Sequence, residues 1–524
     1  MAPVRGDLRN PRGRGVLLHH HRCLRTASVD HRARTLRRAS RSDLPAPPNR
    51  TETTVNLDPA ILARVQFAFT VSFHIIFPTI SIGLAAFLAI MEGLWLKTKD
   101  PLYLQIYRFW LGIFAMGFGV GVVTGIVLSF EFGLSFARFG QMAGPAIGPM
   151  IGLEVLTSFF LEAGFLGIML FGFNRVGPKL HFLATCMVAL GTLLSASWIL
   201  SANSWMQTPD GVVVEHGRVV VTDWLKVIVN PSWPYRLPHM LVAAYITGSF
   251  LVAGVGAWYL LRGEHEAFGR RTVSIGLTFA TILIGCQVFV GDMLYGKMLE
   301  HQPAKMQAAE GFWEKQSQSP APYYWFIVPD QQNQRNRFAL GTPYLGSIWL
   351  THSLSGRVEG LKNTPRDRQP VMGWVFYGFR TMYGLAIIMF GVCIASLWLR
   401  WQGRLFTTRW FLRTLVVMTP SGVIATLGGW YLAETGRQPW VIYNILRTAD
   451  AVSPVPAGVL LSTLIAFVCI YALFMTAFLI FSLRMIRRGP QAAQSEPVAT
   501  GSLKHALKPA VMNDPAGRNP APVE

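Results

Sequence analysis

The sequence predicts an all-α fold, a polytopic membrane helix bundle of about nine transmembrane helices. Two compositional facts and one pattern point to it. Apolar residues make up 51% of the 524 residues and charged residues only 14%, against roughly 25% charge in soluble domains. Apolar stretches long enough to cross a bilayer, about 20 residues each, recur along the chain. The short segments between them alternate between basic and nearly uncharged. The formal charge of +20 would suit nucleic acid. It sits, however, in an N-terminal tail and in short inter-span loops, where it reports topology, so nucleic acid is excluded as a partner. Of the five cysteines, Cys186, Cys286, Cys393 and Cys469 fall inside apolar runs and Cys23 in the tail. No CxxC or CxxCH occurs, which argues against a disulfide framework, a zinc site and a covalently attached haem.

Residues 1–50 hold twelve Arg, no Lys and three Asp, with no apolar run of signal-peptide length. Segment 1–54 is expected to be a disordered extension that arises from a misplaced start, with translation beginning at Val55. N-terminal sequencing that began at Met1 would remove that idea. Spans are expected at 60–96, 106–134, 149–173, 181–206, 237–261, 272–297, 371–399, 409–433 and 456–483. This divides the chain into six spans within 55–297, a long connection at 298–370, three spans within 371–488 and a disordered tail at 489–524. Basic residues crowd alternate loops: Lys97, Lys99 and Arg108; Arg175 and Lys179; Arg262, Arg270 and Arg271; Arg400, Arg404, Arg409 and Arg413. Arg484, Arg487 and Arg488 add to the same side. The loop at 135–148 carries only Arg138, and that at 434–455 only Arg437 and Arg447. The positive-inside trend places the first set in the cytoplasm. The beginning of span 1 and the connection 298–370, which holds seven prolines, then lie outside, and the C-terminus inside. A connection of this length is usually functional or disordered.

Ionisable groups at the centre of a span cost roughly 2.5–3.5 kcal/mol on insertion scales and mark function by default. The spans contain His74, Glu131, Glu154, Glu162, His239 and Asp292, with Glu434 at the end of span 8 and Met382 in span 7. Given the alternating direction of the spans, His74, Glu154, His239, Met382 and Glu434 fall in the outer half of the membrane. Glu162 lies about 12 Å deeper at helical rise. His and Met are usual axial ligands of low-spin haem. Each residue also has a plainer role: intramembrane His often only bridges helices, Met is common in apolar cores, and paired Glu serve a proton path in any transporter. The residues by themselves support a redox or a proton-coupled membrane protein and leave both open.

Six stretches go further: RVQFAFTVSFH (Arg64–His74), FWLGIFAMGFGVGVVTG (Phe109–Gly125), LEVLTSFFLEAGFLG (Leu153–Gly167), LSASWILSANSWMQ (Leu194–Gln207), FRTM (Phe379–Met382) and GRQPW (Gly436–Trp440). In this order they resemble subunit I of the cytochrome bd quinol oxidases, from about Asp58 to Arg488. GRQPW and the paired glutamates are specific, whereas FRTM alone is weak. The connection between Glu310 and Arg380 lacks the long insertion of one branch of the family. The chain looks like the short-loop branch, which includes the cyanide-insensitive oxidases. Span 2 carries Glu131 where the family pattern leads one to expect an uncharged polar residue.

The resemblance implies a terminal oxidase that takes electrons from quinol at the outer face, reduces O2 to water and generates a membrane potential without pumping. It implies three haems: two haem b and one haem d, or a further haem b in its place. His239 and Met382 would ligate the low-spin haem b. His74 and Glu434 would hold the two high-spin haems, with Glu154 on the open side of the haem at His74. Arg380 and Arg437 would neutralise propionates, and Trp430 would pack between haems. Lys305 and Glu310 would form the quinol site; without the resemblance they read as a pair on a solvated loop. Glu162 and Ser195 would pass cytoplasmic protons toward Glu154. The implied partners are a second membrane subunit (subunit II), quinol, O2 and a small accessory subunit, in the bacterial cytoplasmic (inner) membrane.

Two other readings compete. A haem–copper oxidase needs more intramembrane histidines than His74, His181 and His239 supply. A proton-coupled transporter would be expected to show internal repeats and mid-membrane helix breaks; no convincing repeat is present, and the candidate residues lie off centre.

Overall fold

The computed structural model describes residues 58–315 and 319–491. The 1–54 segment and nearly all of the 489–524 tail lie outside the described residues. Among the described residues nine helices are long and apolar enough to cross a membrane, as expected for a polytopic α-bundle.

Helices α1 (Pro59–Thr98) and α2 (Pro101–Leu134) both begin at an Asp-Pro pair. The Asp58 and Asp100 carboxylates accept hydrogen bonds from the amides of Ala60 (2.8 Å) and Leu102 (2.9 Å). Proline in the first turn lacks only an amide that would have had no helical partner. Lys99 closes α1 in the left-handed region.

The third span is longer than expected. Helix α3 (Ala137–Glu154) occupies most of the stretch read as a loop at 135–148 and runs through a π-helical turn (Val155–Phe159) into α4 (Phe160–Phe171). Its prolines Pro145 and Pro149 sit on the exposed side. Phe139, Ala143, Ala146, Ile147 and Met150 form a buried stripe. That stripe packs in the same core as Trp205 and Val219, and this tertiary burial outweighs the hydrogen bonds lost at proline.

Helix α5 (Pro178–Gln207) is followed by a hairpin of β1 (Val212–Glu215) and β2 (Arg218–Val221), a short α6 (Trp224–Ile228) and the fifth span α7 (Trp233–Arg262). Helix α8 (Glu266–His301) leads into α9 (Pro303–Glu310), which opens the long connection. That connection is folded. It contains a hairpin of β3 (Tyr323–Asp330) and β4 (Arg335–Thr342) and a short α10 (Leu345–Thr351). Span 7 is α11 (Met372–Trp401). Span 8 breaks before Pro420 into α12 (Arg409–Val417) and α13 (Ser421–Thr435). A small hairpin, β5 (Trp440–Ile442) with β6 (Leu446–Arg447), and α14 (Thr448–Ala451) precede the last span, α15 (Ala457–Arg488).

Helix α7 is the hub and packs on α1, α5, α8, α12 and α13. Close approach depends on glycine, as expected where lipid supplies no hydrophobic drive between helices. A Cβ on Gly83 would lie 2.4 Å from the Ala244 carbonyl oxygen and 3.0 Å from the Gly248 backbone. Gly83→Val should therefore push α1 away from α7. Overpacking of this kind costs about 1–3 kcal/mol or more; the expected result is a lower unfolding temperature of the detergent-solubilised protein, while wild-type stability would refute the tight crossing.

Candidate functional site

The bundle forms a partly open cavity of about 2220 Å³, more than twice the roughly 300–1,000 Å³ of ordinary small-molecule sites. His74, Glu154, Glu162, Ser195, His239, Lys305, Met382, Trp430, Glu434 and Arg437 all line it. The fold thus brings together side chains from α1, α3–α5, α7, α9, α11, α13 and the turn after α13 that are up to 363 positions apart in sequence.

Each candidate ligand is held by a specific neighbour. His74 Nδ1 lies 2.9 Å from Thr124 Oγ1. That hydroxyl donates to the carbonyls of Val120 and Gly121, so it accepts from Nδ1–H and leaves Nε2 with a free lone pair. Outer partners of this kind fix the tautomer and orientation of a ligating histidine. The ring also needs Gly125, where a Cβ would stand 3.1 Å from His74 Cε1. His239 Nδ1 is 3.2 Å from the Gln287 side-chain amide, whose Oε1 is buried without a partner. With that amide turned so that Oε1 faces the ring, Nδ1–H donates to it and Nε2 is again free. Met382 lies against Gly429, where a Cβ would meet Sδ at 2.7 Å. Gly378 and Gly428 let α11 and α13 touch through backbone at the same level.

Glu434, in the last turn of α13, accepts from Asn203 Nδ2 (2.9 Å) and Gln207 Nε2 (3.2 Å) and pairs with Arg437. Glu154 ends α3 at the π-helical turn and accepts from Ser195 Oγ at 2.8 Å. Such turns recur at functional sites because they re-aim side chains within a helix. Glu162 packs its Cγ against Gly191 of α5. Trp430 lines the cavity one turn before Glu434.

The cavity end beneath the long connection is cationic. Arg236, Lys305 and Arg437 gather around the single carboxylate of Glu434. Lys305 is 2% exposed and donates to Gln207 Oε1 at 2.5 Å. Burial drives its ammonium well below the usual lysine range, and repulsion from Arg236 and Arg437 adds to this against the attraction of Glu434. Arg437 Nε and Nη1 and Arg236 Nε are buried without partners. Buried cations need a compensating anion, so this end of the cavity is built for anionic groups on a ligand. Arg236, Asn203, Gln207, Thr124 and Gln287 escape a sequence reading. A signal existed only for Arg236, an arginine three residues before His239 near the start of a span.

Arg380 is not among the residues that line the cavity. Its Nε donates to the Tyr324 carbonyl (2.7 Å) and Nη2 to Glu310 Oε2 (2.9 Å). The rings of Tyr323, Phe376 and Phe379 lie against its guanidinium. Nor do Lys305 and Glu310 form a pair on a solvated loop. Both are buried on α9, and five residues at about 100° each turn them to different sides. Lys305 faces the cavity. Glu310, 1% exposed, faces Arg380 and has one carboxylate oxygen without a partner; burial raises its carboxyl above the usual range, opposed by Arg380.

Glu131 and Asp292 also find partners. Glu131, 1% exposed and away from the cavity, accepts from Thr70 Oγ1 (2.5 Å) and Gln66 Nε2 (3.1 Å). Gln66 in turn accepts from Thr463 Oγ1 of α15, so the carboxyl ties three spans together. Asp292 is half exposed on the cavity wall, 3.9 Å from His352.

A polytopic bundle that turns two histidines, a methionine and a glutamate into one cation-rimmed cavity defines a redox-type membrane protein rather than a structural bundle. The family described as cytochrome bd terminal oxidase subunit I matches residues 62–490, and the chain belongs to it. It is 35% identical to the cytochrome bd ubiquinol oxidase subunit 1 of Bacillus subtilis (strain 168), across 82% of this chain and 94% of that protein. It is 32% identical to the cytochrome bd-II ubiquinol oxidase subunit 1 of Escherichia coli (strain K12), across 83% and 98%. Its fold matches the bd oxidase structure from Geobacillus thermodenitrificans with a TM-score of 0.77 and 32% identity, covering 83% of this chain and 99% of that one. The chain is therefore a terminal-oxidase subunit of a bacterial multi-pass type, and the transporter and haem–copper readings fall away.

Proposed function

We propose that this chain oxidises quinol at the outer membrane face and carries three haems, two haem b and one haem d or a third haem b, between that site and the point of oxygen reduction. The observation that carries this reading is the convergence of His74, His239, Met382 and Glu434 on one large cavity whose buried cations, Arg236 and Arg437, have unpartnered donors. Imidazole, thioether and carboxylate are iron ligands, and guanidinium groups suit the paired oxygens of propionates. The residues therefore fit the group.

His239 and Met382 would hold the low-spin haem b, and His74 and Glu434 the two high-spin haems, with Glu154 on the open side of the haem at His74. Arg236, Arg437 and Lys305 would face propionates, and Trp430 would fill the space between macrocycles. When bound, the haems supply one-electron carriers and the iron at which oxygen is reduced to water.

The chain's own part is binding, orientation and proton handling. Glu310 would take the proton from a quinol hydroxyl. Its free Oε1 is the base, Arg380 steadies the resulting charge, and the Tyr323 hydroxyl, buried without a partner, is available as a second contact. Arg380, on α11, would thus serve the base presented by the folded connection. Ser195, Glu162 and Glu154 form a polar line suited to bring protons from the opposite, basic-loop face, which the positive-inside trend makes cytoplasmic. Releasing quinol protons outside and drawing water-forming protons from inside stores roughly 2.3 kcal/mol per charge per 100 mV, with no pumping stroke. Subunit II, and a small accessory subunit, would cover apolar faces such as that of α15.

His239→Ala and Met382→Ala should each abolish the low-spin band in the reduced-minus-oxidised spectrum of purified membranes, while high-spin features persist. An unchanged low-spin band in both would overturn the ligand assignment. For quinol oxidation, Glu310 has to be ionised to act as a base. Its carboxyl is raised, so the wild-type rate should climb as pH rises through a value above the ordinary carboxylate range. Glu310→Gln should flatten that profile and lower the rate about 100-fold, within the span of general-base effects. A Gln variant that kept the wild-type pH profile would exclude Glu310 as the base.

A further inference from the structure

A second buried polar cluster lies outside the cavity and takes no part in the roles above. Glu92 of α1, Tyr107 of α2, and His181 and Thr185 of α5 are each at most 1% exposed. His181 Nδ1 lies 2.6 Å from Glu92 Oε1, and Thr185 Oγ1 donates to Glu92 Oε2 at 2.5 Å. The Tyr107 hydroxyl lies 3.1 Å from Thr185 Oγ1. His181 Nε2 lies 3.1 Å from the Met169 carbonyl of α4.

The proton count of this cluster is fixed by its partners. A carbonyl only accepts, so Nε2 carries a hydrogen. Thr185 gives its hydrogen to Oε2, so Tyr107 donates to Thr185. One proton then remains, in the gap between Oε1 and Nδ1. Neutral acid beside neutral imidazole and carboxylate beside imidazolium carry the same net charge of zero. A pair of this kind can shift a proton by a fraction of its separation without creating net charge in the bilayer, where net charge is expensive.

Position gives the pair a direction. Glu92 and Tyr107 each lie six residues from their helix ends, and His181 three residues into α5. At 1.5 Å per residue the cluster sits roughly 5–10 Å below the basic-loop face. Two basic groups flank it: Lys179, two residues before His181, and Arg108, which lies over the Phe173 ring at 4.5 Å. That ring packs edge-on against His181. Along α5, His181, Thr185, Thr192 and Ser195 fall within an arc of about 80° at 100° per residue. Thr192 and Ser195 line the cavity, Ser195 bonds Glu154, and Gly191 backs Glu162. Between Thr185 and Thr192 the same face offers only the fully buried Val188, a dry gap of roughly 10 Å.

We propose that the Glu92–His181 pair is a proton-relay station at the basic-loop end of the line to Glu162 and Glu154. The inference rests on the reading that Glu162 passes protons toward Glu154. The pair gives up the shared proton to water that crosses the Val188 gap, which leaves carboxylate and neutral imidazole. It is then reloaded with a proton from the basic-loop face. No electron moves, and one proton enters for each that leaves.

The test uses the purified complex, fully reduced and mixed with oxygen, with a pH dye to follow proton uptake. Glu92→Gln should slow uptake at least ten-fold while the haem spectrum and unfolding temperature stay at wild type, and Glu92→Asp should recover most of the rate. Thr185→Val, which keeps both titratable groups, should slow it less. Wild-type uptake in Glu92→Gln would overturn the proposal. Loss of haem or of assembly in both Glu92→Gln and Thr185→Val would overturn it in favour of a purely structural role. Glu162→Gln is measured alongside: wild-type uptake there sinks the Glu162 line itself, whereas slow uptake there with normal uptake in Glu92→Gln sinks the station alone.

Discussion

Charge inside a low-dielectric bundle has to be matched, and most of the architecture follows from how this chain matches it. Glu154 leans on Ser195, Glu131 on Thr70 and Gln66, Glu92 on Thr185 and His181, and Glu434 on Asn203, Gln207 and Arg437. Most of these contacts join different spans, so the polar groups specify which helices meet and in what register. Arg236 and Arg437 are where matching stops: Arg236 Nε and Arg437 Nε and Nη1 are buried and unpartnered. Around Glu434 the buried cations outnumber the carboxylate, which favours an acidic ligand at that end of the cavity.

Backbone contact between helices is the second organising feature. Gly83 against Gly248 seats α1 on α7, and Gly378 against Gly428 seats α11 on α13. These crossings bring His74, His239, Met382 and Glu434 around one space instead of leaving each on its own helix–helix seam. The long connection then folds back as α9, β3 and β4, and α9 presents Lys305 to the cavity and Glu310 to Arg380. One short helix therefore carries both a residue of the cavity rim and the buried partner of Arg380.

The nine spans were legible because a bilayer demands about 20 apolar residues at a time, and composition alone records that demand. The span 3 boundary was not. Pro145 reads as loop, yet the stripe from Phe139 to Met150 gains enough burial to hold a helix. The candidate ligands were legible from residue type and depth, aided by the order of the family motifs. Their supporting neighbours were not. Thr124, Gln287 and Asn203 are unremarkable in sequence and acquire meaning only through contacts 48 to 231 positions away. Glu92 gives no such signal in sequence, because it sits near the end of a span, where a carboxylate is usually solvated.

The sequence by itself determined that the chain is a membrane bundle, where its spans run, which family it resembles and which of its side chains are too costly in lipid to be ornamental. Those properties are sums over residues, and sums need no geometry. The tertiary structure decided how those side chains are paired: that Arg380 meets Glu310, that Lys305 belongs to the cavity, and that Glu92 meets His181. Pairing depends on distances of about 3 Å between residues far apart in the chain, and such distances exist only after the helices have packed.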